Sequence, residues 1–258
     1  MRDITLHDDE IAGLPVRWRQ AGDEPILWLH GVPNASEMWA PFQARAGGIA
    51  VDLPGFGQSG KPAGFDYTIA GYGRFLETFL DHLGLERVAL AMHDWGAVGL
   101  AFAQAHPERV ERIVAIDVVP FLPGYQWHRW ARMWRRPVLG ELTMGFTSPR
   151  TLRALSDLPP SMIAEVVQHF DQGTQRAILK LYRSASPEVL AGAGVGLREL
   201  DAPTLVLWGE NDPYIPARFA EELAQSLPHG IFQLVIEAGH WPWIDRPSVI
   251  DQVAGFLS

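Results

Sequence analysis

The residues in this chain best suited to chemistry are two carboxylates and a histidine, each set where an apolar run ends. Ala91-Met92-His93-Asp94-Trp95-Gly96-Ala97 joins an extended apolar stretch to a helical one. A sharp strand-to-helix turn exposes the residue at its apex and needs small neighbours to do so. Gly96 supplies one two positions after Asp94, whereas Met92 stands two before, where glycine is usual. The helix that follows aims its unpaired N–H groups at the apex and favours negative charge there. An aspartate that only caps the helix would suit the same position. Further along, Trp208-Gly209-Glu210-Asn211-Asp212-Pro213 places Asp212 beyond a late apolar run, and Ala238-Gly239-His240-Trp241 places His240 beyond the last one. Asp117 is the alternative second carboxylate. Asp212 is preferred because it sits in a turn with Asn211 and Pro213.

An ionised aspartate, with an ordinary pKa of about 3.9, needs no base to act as a nucleophile. It suits displacement at a saturated carbon bearing an epoxide oxygen or a halide. Attack on an ester or amide would give an anhydride, an unproductive route. Displacement leaves an alkyl ester on Asp94, and His240, oriented by Asp212, would draw a proton from the water that hydrolyses it. Leu29-His30-Gly31-Val32-Pro33-Asn34 follows the first apolar run. The backbone N–H groups of Val32 and Trp95 are the expected oxyanion donors, since Pro33 has none to offer. No Gly-x-Ser-x-Gly string occurs, and Gly57-Gln58-Ser59-Gly60 has the wrong spacing for one.

These residues need a scaffold, and the chain alternates short β-like runs with helical stretches, which implies a mainly parallel sheet flanked by helices. Strands are expected at Ile26–His30, Gly48–Leu53, Arg87–Met92, Arg112–Val119, Pro203–Gly209 and Phe232–Glu237, with an antiparallel edge pair at Ile4–His7 and Val16–Gln20. A helix is expected from Gly96 to His106. The alternation stops between Pro120 and Leu200, where helical periodicity is punctuated by prolines. The expected division is a core of residues 1–118 and 200–258, with 119–199 as a helical cap over the carboxyl ends of the strands. Trp127, Trp130 and Trp134 are spaced to share one helical face, with the arginines at 129, 132, 135 and 136 largely on the other. Such tryptophans either pack the cap onto the core or contact substrate.

With 258 residues, 47% of them apolar, the chain can bury one large core. A formal net charge of −9 argues against a nucleic-acid partner. The absence of cysteine excludes disulfides, thiolate metal sites and a cysteine nucleophile. The first ten residues have no apolar core of a secretory signal, and no uncharged apolar stretch is long enough to span a membrane, so a cytoplasmic enzyme without membrane association is expected. No metal or organic cofactor is implied.

Taken together the motifs resemble the α/β-hydrolase superfamily, in the branch of epoxide hydrolases and haloalkane dehalogenases. His30-Gly31-Val32-Pro33 is similar to that branch's H-G-x-P, His93-Asp94-Trp95-Gly96 to its H-D-W-G, and the structural loop Asp52-Leu53-Pro54-Gly55-Phe56-Gly57-Gln58-Ser59 to its D-x-x-G-x-G-x-S. The resemblance covers roughly residues 15–118 and 200–258 and is weak in between. It implies the α/β-hydrolase fold with a small helical cap, and the order nucleophile, acid, histidine as Asp94, Asp212, His240. It also implies a small apolar organic substrate and water as reactants. For an epoxide, the leaving oxygen takes a proton from cap tyrosines. Leu179-Lys180-Leu181-Tyr182-Arg183 resembles the stretch carrying one, which makes Tyr182 the candidate. Tyr125 is a poor match by position for the other, and His128 is a further candidate. For a halide, Trp95 is one expected N–H donor. Val32 replaces the usual entry-loop asparagine and Asn34 falls two residues late, so the second donor is sought among Trp127, Trp130 and Trp134. Trp95 also stands where fluoroacetate-type dehalogenases carry an arginine. Epoxide hydrolysis ranks first, haloalkane dehalogenation second, and a non-catalytic ligand-binding member of the fold third. Oligomeric state is not legible.

Overall fold

The computed structural model describes residues 2–258. Eight strands form one sheet: β1 (Thr5–Ile11), β2 (Leu14–Ala21), β3 (Ile26–Leu29), β4 (Gly48–Val51), β5 (Val88–His93), β6 (Val110–Ile116), β7 (Thr204–Gly209) and β8 (Gly230–Val235). They lie in the order β1-β2-β4-β3-β5-β6-β7-β8. β1 and β2 pair antiparallel and β2 meets β4 antiparallel, while every later pairing is parallel. All six residues of β5 are buried, as a strand must be when helices cover both faces of a parallel sheet. Side chains alternate across the sheet, so Leu27 and Leu29 enter one apolar core and Ile26 and Trp28 the other.

Two expected strands sit earlier in the chain than the apolar runs suggest. β6 ends at Ile116 because Asp117 takes a left-handed φ of 43°, which no strand can continue through. β8 ends at Val235, two residues before Glu237 turns with φ 57°. These turns carry the chain off the carboxyl edge of the sheet, where open α/β sheets place their sites.

Between β6 and β7 lie the helices Arg129–Trp134, Leu139–Gly145, Pro149–Leu155, Pro160–His169, Gln172–Ser184 and Pro187–Ala193. Proline opens three of them, at the first helical position, where its missing N–H costs nothing. The side chains of Ser148, Asp171 and Ser186 accept from backbone N–H groups of the first turns and fix where three of these helices begin. The three tryptophans do not share one helix. Arg129 is the first helical residue, so Trp127 lies before the helix and is buried, while Trp130 and Trp134 are half-buried. No helix among the described residues is long and apolar enough to cross a membrane.

Candidate active site

Asp94 stands at the apex of the turn between β5 and the helix Val98–Ala105, with φ 49°. That conformation is costly for a residue with a Cβ and persists only where the surroundings impose it. Two glycines make room. A side chain at Gly31 would collide with the Asp94 carboxylate, and one at Gly96 would strike the carbonyl of Leu29. Asp94 Oδ1 accepts the Val32 N–H at 2.7 Å, and the Trp95 N–H also favours the ionised form. Burial nevertheless outweighs these donors and the nearby His240, and leaves the Asp94 carboxyl above the ordinary aspartate range.

His240, beyond β8, places Nδ1 at 2.8 Å from Asp212 Oδ2 and Nε2 at 3.8 Å from Asp94 Oδ2. Burial alone would depress this histidine. The charge of Asp212, its hydrogen bond and the charge of Asp94 overcome that and raise His240 above its usual value. Asp212, beyond β7, is held by its own turn, since Oδ1 accepts from the N–H groups of Tyr214 at 2.7 Å and Ile215 at 3.0 Å. It is Asp212, and not Asp117, that meets the imidazole. Asp117 is fully buried, accepts the Gly209 N–H at 2.9 Å through Oδ1 and has no partner for Oδ2. Burial first, then the charge of Asp212, drive its carboxyl well above the aspartate range, towards the neutral form. One donor atom each of Asp117, Asp212 and His240 lie within 4.8 Å of one another. The hydrogen bond between Asp212 and His240 already engages two of the atoms a metal would need.

Behind these groups stands a shell that the motifs only hinted at. His93 Nε2 lies 2.7 Å from the His240 carbonyl, which accepts its N–H and anchors the loop after β8. His30 accepts the Leu53 N–H through Nε2 at 3.0 Å, and its Nδ1 donates to the Gly31 carbonyl at 2.9 Å, locking the loop that carries Val32. Asp52 accepts from the Ser36 and Gln58 N–H groups, both at 2.8 Å, which makes the loop from Asp52 to Ser59 structural as expected. Tyr214 was missed by sequence reasoning. Its ring packs edge-on to His240 with centroids 5.0 Å apart, and its only sequence signal is its place two residues after Asp212.

A cavity of about 270 Å³ opens over Asp94 and His240. Tyr125, Trp127, His128, Trp130, Trp134 and Tyr182 line it, together with Tyr214, apolar side chains, three threonines and Ser156; Trp95 does not, and among the described residues no lysine or arginine does. The Tyr182 ring sits edge-on to Trp95 at 5.2 Å and beside Trp127 at 4.9 Å. The buried hydroxyl of Tyr125 has no hydrogen-bond partner. Among the tryptophans, Trp127 gives its indole N–H to the Ala185 carbonyl at 2.8 Å, whereas the buried N–H of Trp95 forms no regular hydrogen bond and acts on the Tyr182 hydroxyl. His128 is largely buried, which lowers its pKa to about 4 and keeps it neutral. Asn34 is buried away from the cavity, its amide nitrogen 3.7 Å from the Met162 sulfur.

Residues 26–252 match the alpha/beta hydrolase family. The chain is 28% identical to an uncharacterised protein of Mycobacterium tuberculosis over 292 aligned positions, covering 100% of this chain and 83% of that protein. It is 25% identical to bifunctional epoxide hydrolase 2 of Sus scrofa, covering 93% of this chain and 52% of the pig protein. The crystal structure of haloalkane dehalogenase DbeA from Bradyrhizobium elkani superposes with a TM-score of 0.84 at 25% identity, covering 99% of this chain and 98% of that one. The chain therefore belongs to the alpha/beta hydrolase family, as a hydrolase with epoxide hydrolases and haloalkane dehalogenases among its relatives.

Proposed function

We propose that the protein hydrolyses epoxides to diols through a covalent ester on Asp94. Residues 119–199 act as the cap that closes the site. In the first step an Asp94 carboxylate oxygen attacks an epoxide carbon, the C–O bond of the ring breaks, and Tyr182 gives its proton to the leaving oxygen while Tyr125 hydrogen-bonds it. In the second, His240 takes a proton from water, the resulting hydroxide attacks the Asp94 carbonyl carbon, the diol leaves as the carboxylate returns, and the proton held by His240 passes through solvent to restore the tyrosine. The Val32 and Trp95 N–H groups stabilise the oxyanion of that second step, and Asp212 holds His240 and balances its charge.

The observation that carries this reading is the pairing of tyrosines over the nucleophile. Tyr125 and Tyr182 line the same cavity as Asp94, and the charge of Asp94 acts on both hydroxyls. Burial keeps both protonated, so each is available as a donor. The match of Tyr125 by sequence position is poor, yet its location supports the role. The absence of any lysine or arginine from the lining favours a neutral, apolar substrate.

Haloalkane dehalogenation is the second reading, favoured by the likeness to haloalkane dehalogenase DbeA over 98% of that chain, although Trp95, the expected first halide donor, is not among the residues lining the cavity. Trp127 cannot supply the second halide donor while it binds Ala185, which leaves Trp130 and Trp134. Incubation with styrene oxide and with 1-bromobutane, scored for diol and for bromide, separates the two. Diol without bromide supports the first reading, and bromide without diol replaces it with the second.

A further inference from the structure

We propose that the outer face of the helices Arg129–Trp134 and Leu139–Gly145 docks on an anionic lipid surface, with the mouth of the cavity turned towards the bilayer. The charge distribution is the first argument. The stretch from Arg129 to Arg153 holds six arginines and a single acid, Glu141, in a chain whose formal net charge is −9. Glu141 is paired with Arg183, from outside that stretch. Among the described residues, Arg129, Arg132, Arg136, Arg150 and Arg153 form no ion pair, so their charge is not neutralised within the fold. Arg129 and Arg132, one helical turn apart, and Arg136, in the turn that follows the helix, are all exposed.

Apolar exposure on the neighbouring helix is the second argument. Val138, Leu142 and Phe146 are 69%, 53% and 76% exposed, Leu142 within the helix and the other two at its ends. The two helices pack against each other, so the exposed arginines and the exposed apolar groups belong to one contiguous segment. Large side chains this open need a partner or a phase to enter. A surface that joins arginines to exposed aliphatic and aromatic groups has the composition of an interfacial membrane contact.

Continuity with the cavity is the third argument and selects lipid over a protein partner. The deep lining residues Asp94, Tyr125, Trp127, Tyr182 and His240 are all buried, while Phe146 lines the cavity and is also three-quarters exposed. The cavity therefore opens at this same face. An apolar substrate that partitions into a bilayer would enter from there without crossing water. A peripheral contact of this kind needs no spanning helix. The proposal uses the position of the cavity mouth and does not depend on which bond Asp94 attacks.

The test is flotation of the purified full chain with vesicles of phosphatidylcholine, alone or with 30% phosphatidylglycerol, at low and high salt. Binding is expected only to the anionic vesicles and should fall as salt rises. Arg132→Glu/Arg136→Glu should weaken it by roughly twenty-five-fold or more, at about fivefold for each arginine lost. Leu142→Ser/Phe146→Ser should weaken it at unchanged charge. Circular dichroism melts of both variants check that the fold is retained. No binding to anionic vesicles, or equal binding by the charge-reversed variant, overturns the proposal. So does a dimer, by sedimentation equilibrium, that Leu142→Ser/Phe146→Ser dissolves while vesicle binding is absent. In that case the face meets a second copy of the chain.

Discussion

Nε2 of His240 stops 3.8 Å from Oδ2 of Asp94, while its Nδ1 lies 2.8 Å from Oδ2 of Asp212. The longer separation is outside hydrogen-bond range, so the imidazole faces the nucleophile without being clamped to it. A serine at this apex would need that contact, because its proton must leave during attack. A carboxylate has no proton to lose. The geometry therefore suits a histidine whose work begins with water, after Asp94 has become an ester.

The pH dependence should separate the two steps. His240 must be neutral to take a proton, and its pKa is raised because the pull of Asp212 and Asp94 exceeds the effect of burial. A base with a raised pKa is lost at higher pH than usual. Where ester hydrolysis limits turnover Asp94 carries no charge, so Asp212 is left as the main group opposing burial, and the acid limb of kcat is expected below the His240 pKa of the free enzyme read by NMR titration. Asp212→Asn removes the main raising partner, so the limb should move down while kcat falls by about 10²–10⁴-fold. A limb that stays in place in the variant contradicts the role given to Asp212.

Tyr182→Phe and Tyr125→Phe keep each ring and delete a hydroxyl. Epoxide opening should slow by on the order of 10²-fold in each variant, with little change in Tm. Pre-steady-state measurement of adduct formation reads the effect on the correct step. A loss of rate matched by a loss of Tm would point to packing around Trp95 and Trp127 as the source.

Gly96→Ala tests the tight turn under Asp94. The new Cβ would meet the Leu29 carbonyl, a backbone atom that cannot swing away. A cost of about 1–3 kcal/mol is expected. At roughly 2–4 °C per kcal/mol, differential scanning calorimetry should record a clear fall in Tm. An unchanged Tm would mean that the turn has slack to give.

Much of this arrangement was legible before any coordinates. The strands were readable because a parallel sheet covered on both faces demands continuous apolar runs, such as Val88 to Met92. Asp94, Asp212 and His240 stood out because each follows such a run, and they meet in space because those runs end at one edge of one sheet. The cap was harder to read. Its periodicity suggested one helix carrying Trp127, Trp130 and Trp134, but a helix boundary depends on local hydrogen bonding, and Trp127 falls outside it. Nor could the indole of Trp127 be ruled out as a donor from sequence, because its partner is the Ala185 carbonyl, 58 residues away. His93 and Tyr214 act through backbone atoms of the loops they hold, a role that leaves little trace in residue type.

The central claim is the covalent ester on Asp94, and intact mass spectrometry of His240→Phe tests it most directly. Incubated with styrene oxide and, separately, with 1-bromobutane, the variant should accumulate one adduct, heavier by the whole epoxide in the first case or by the butyl group without its bromide in the second, because water activation is lost. Peptide mapping should place the adduct on Asp94, and Asp94→Ala in the same background should abolish it. No adduct with any epoxide or haloalkane tried, or an adduct that survives Asp94→Ala, would contradict the mechanism.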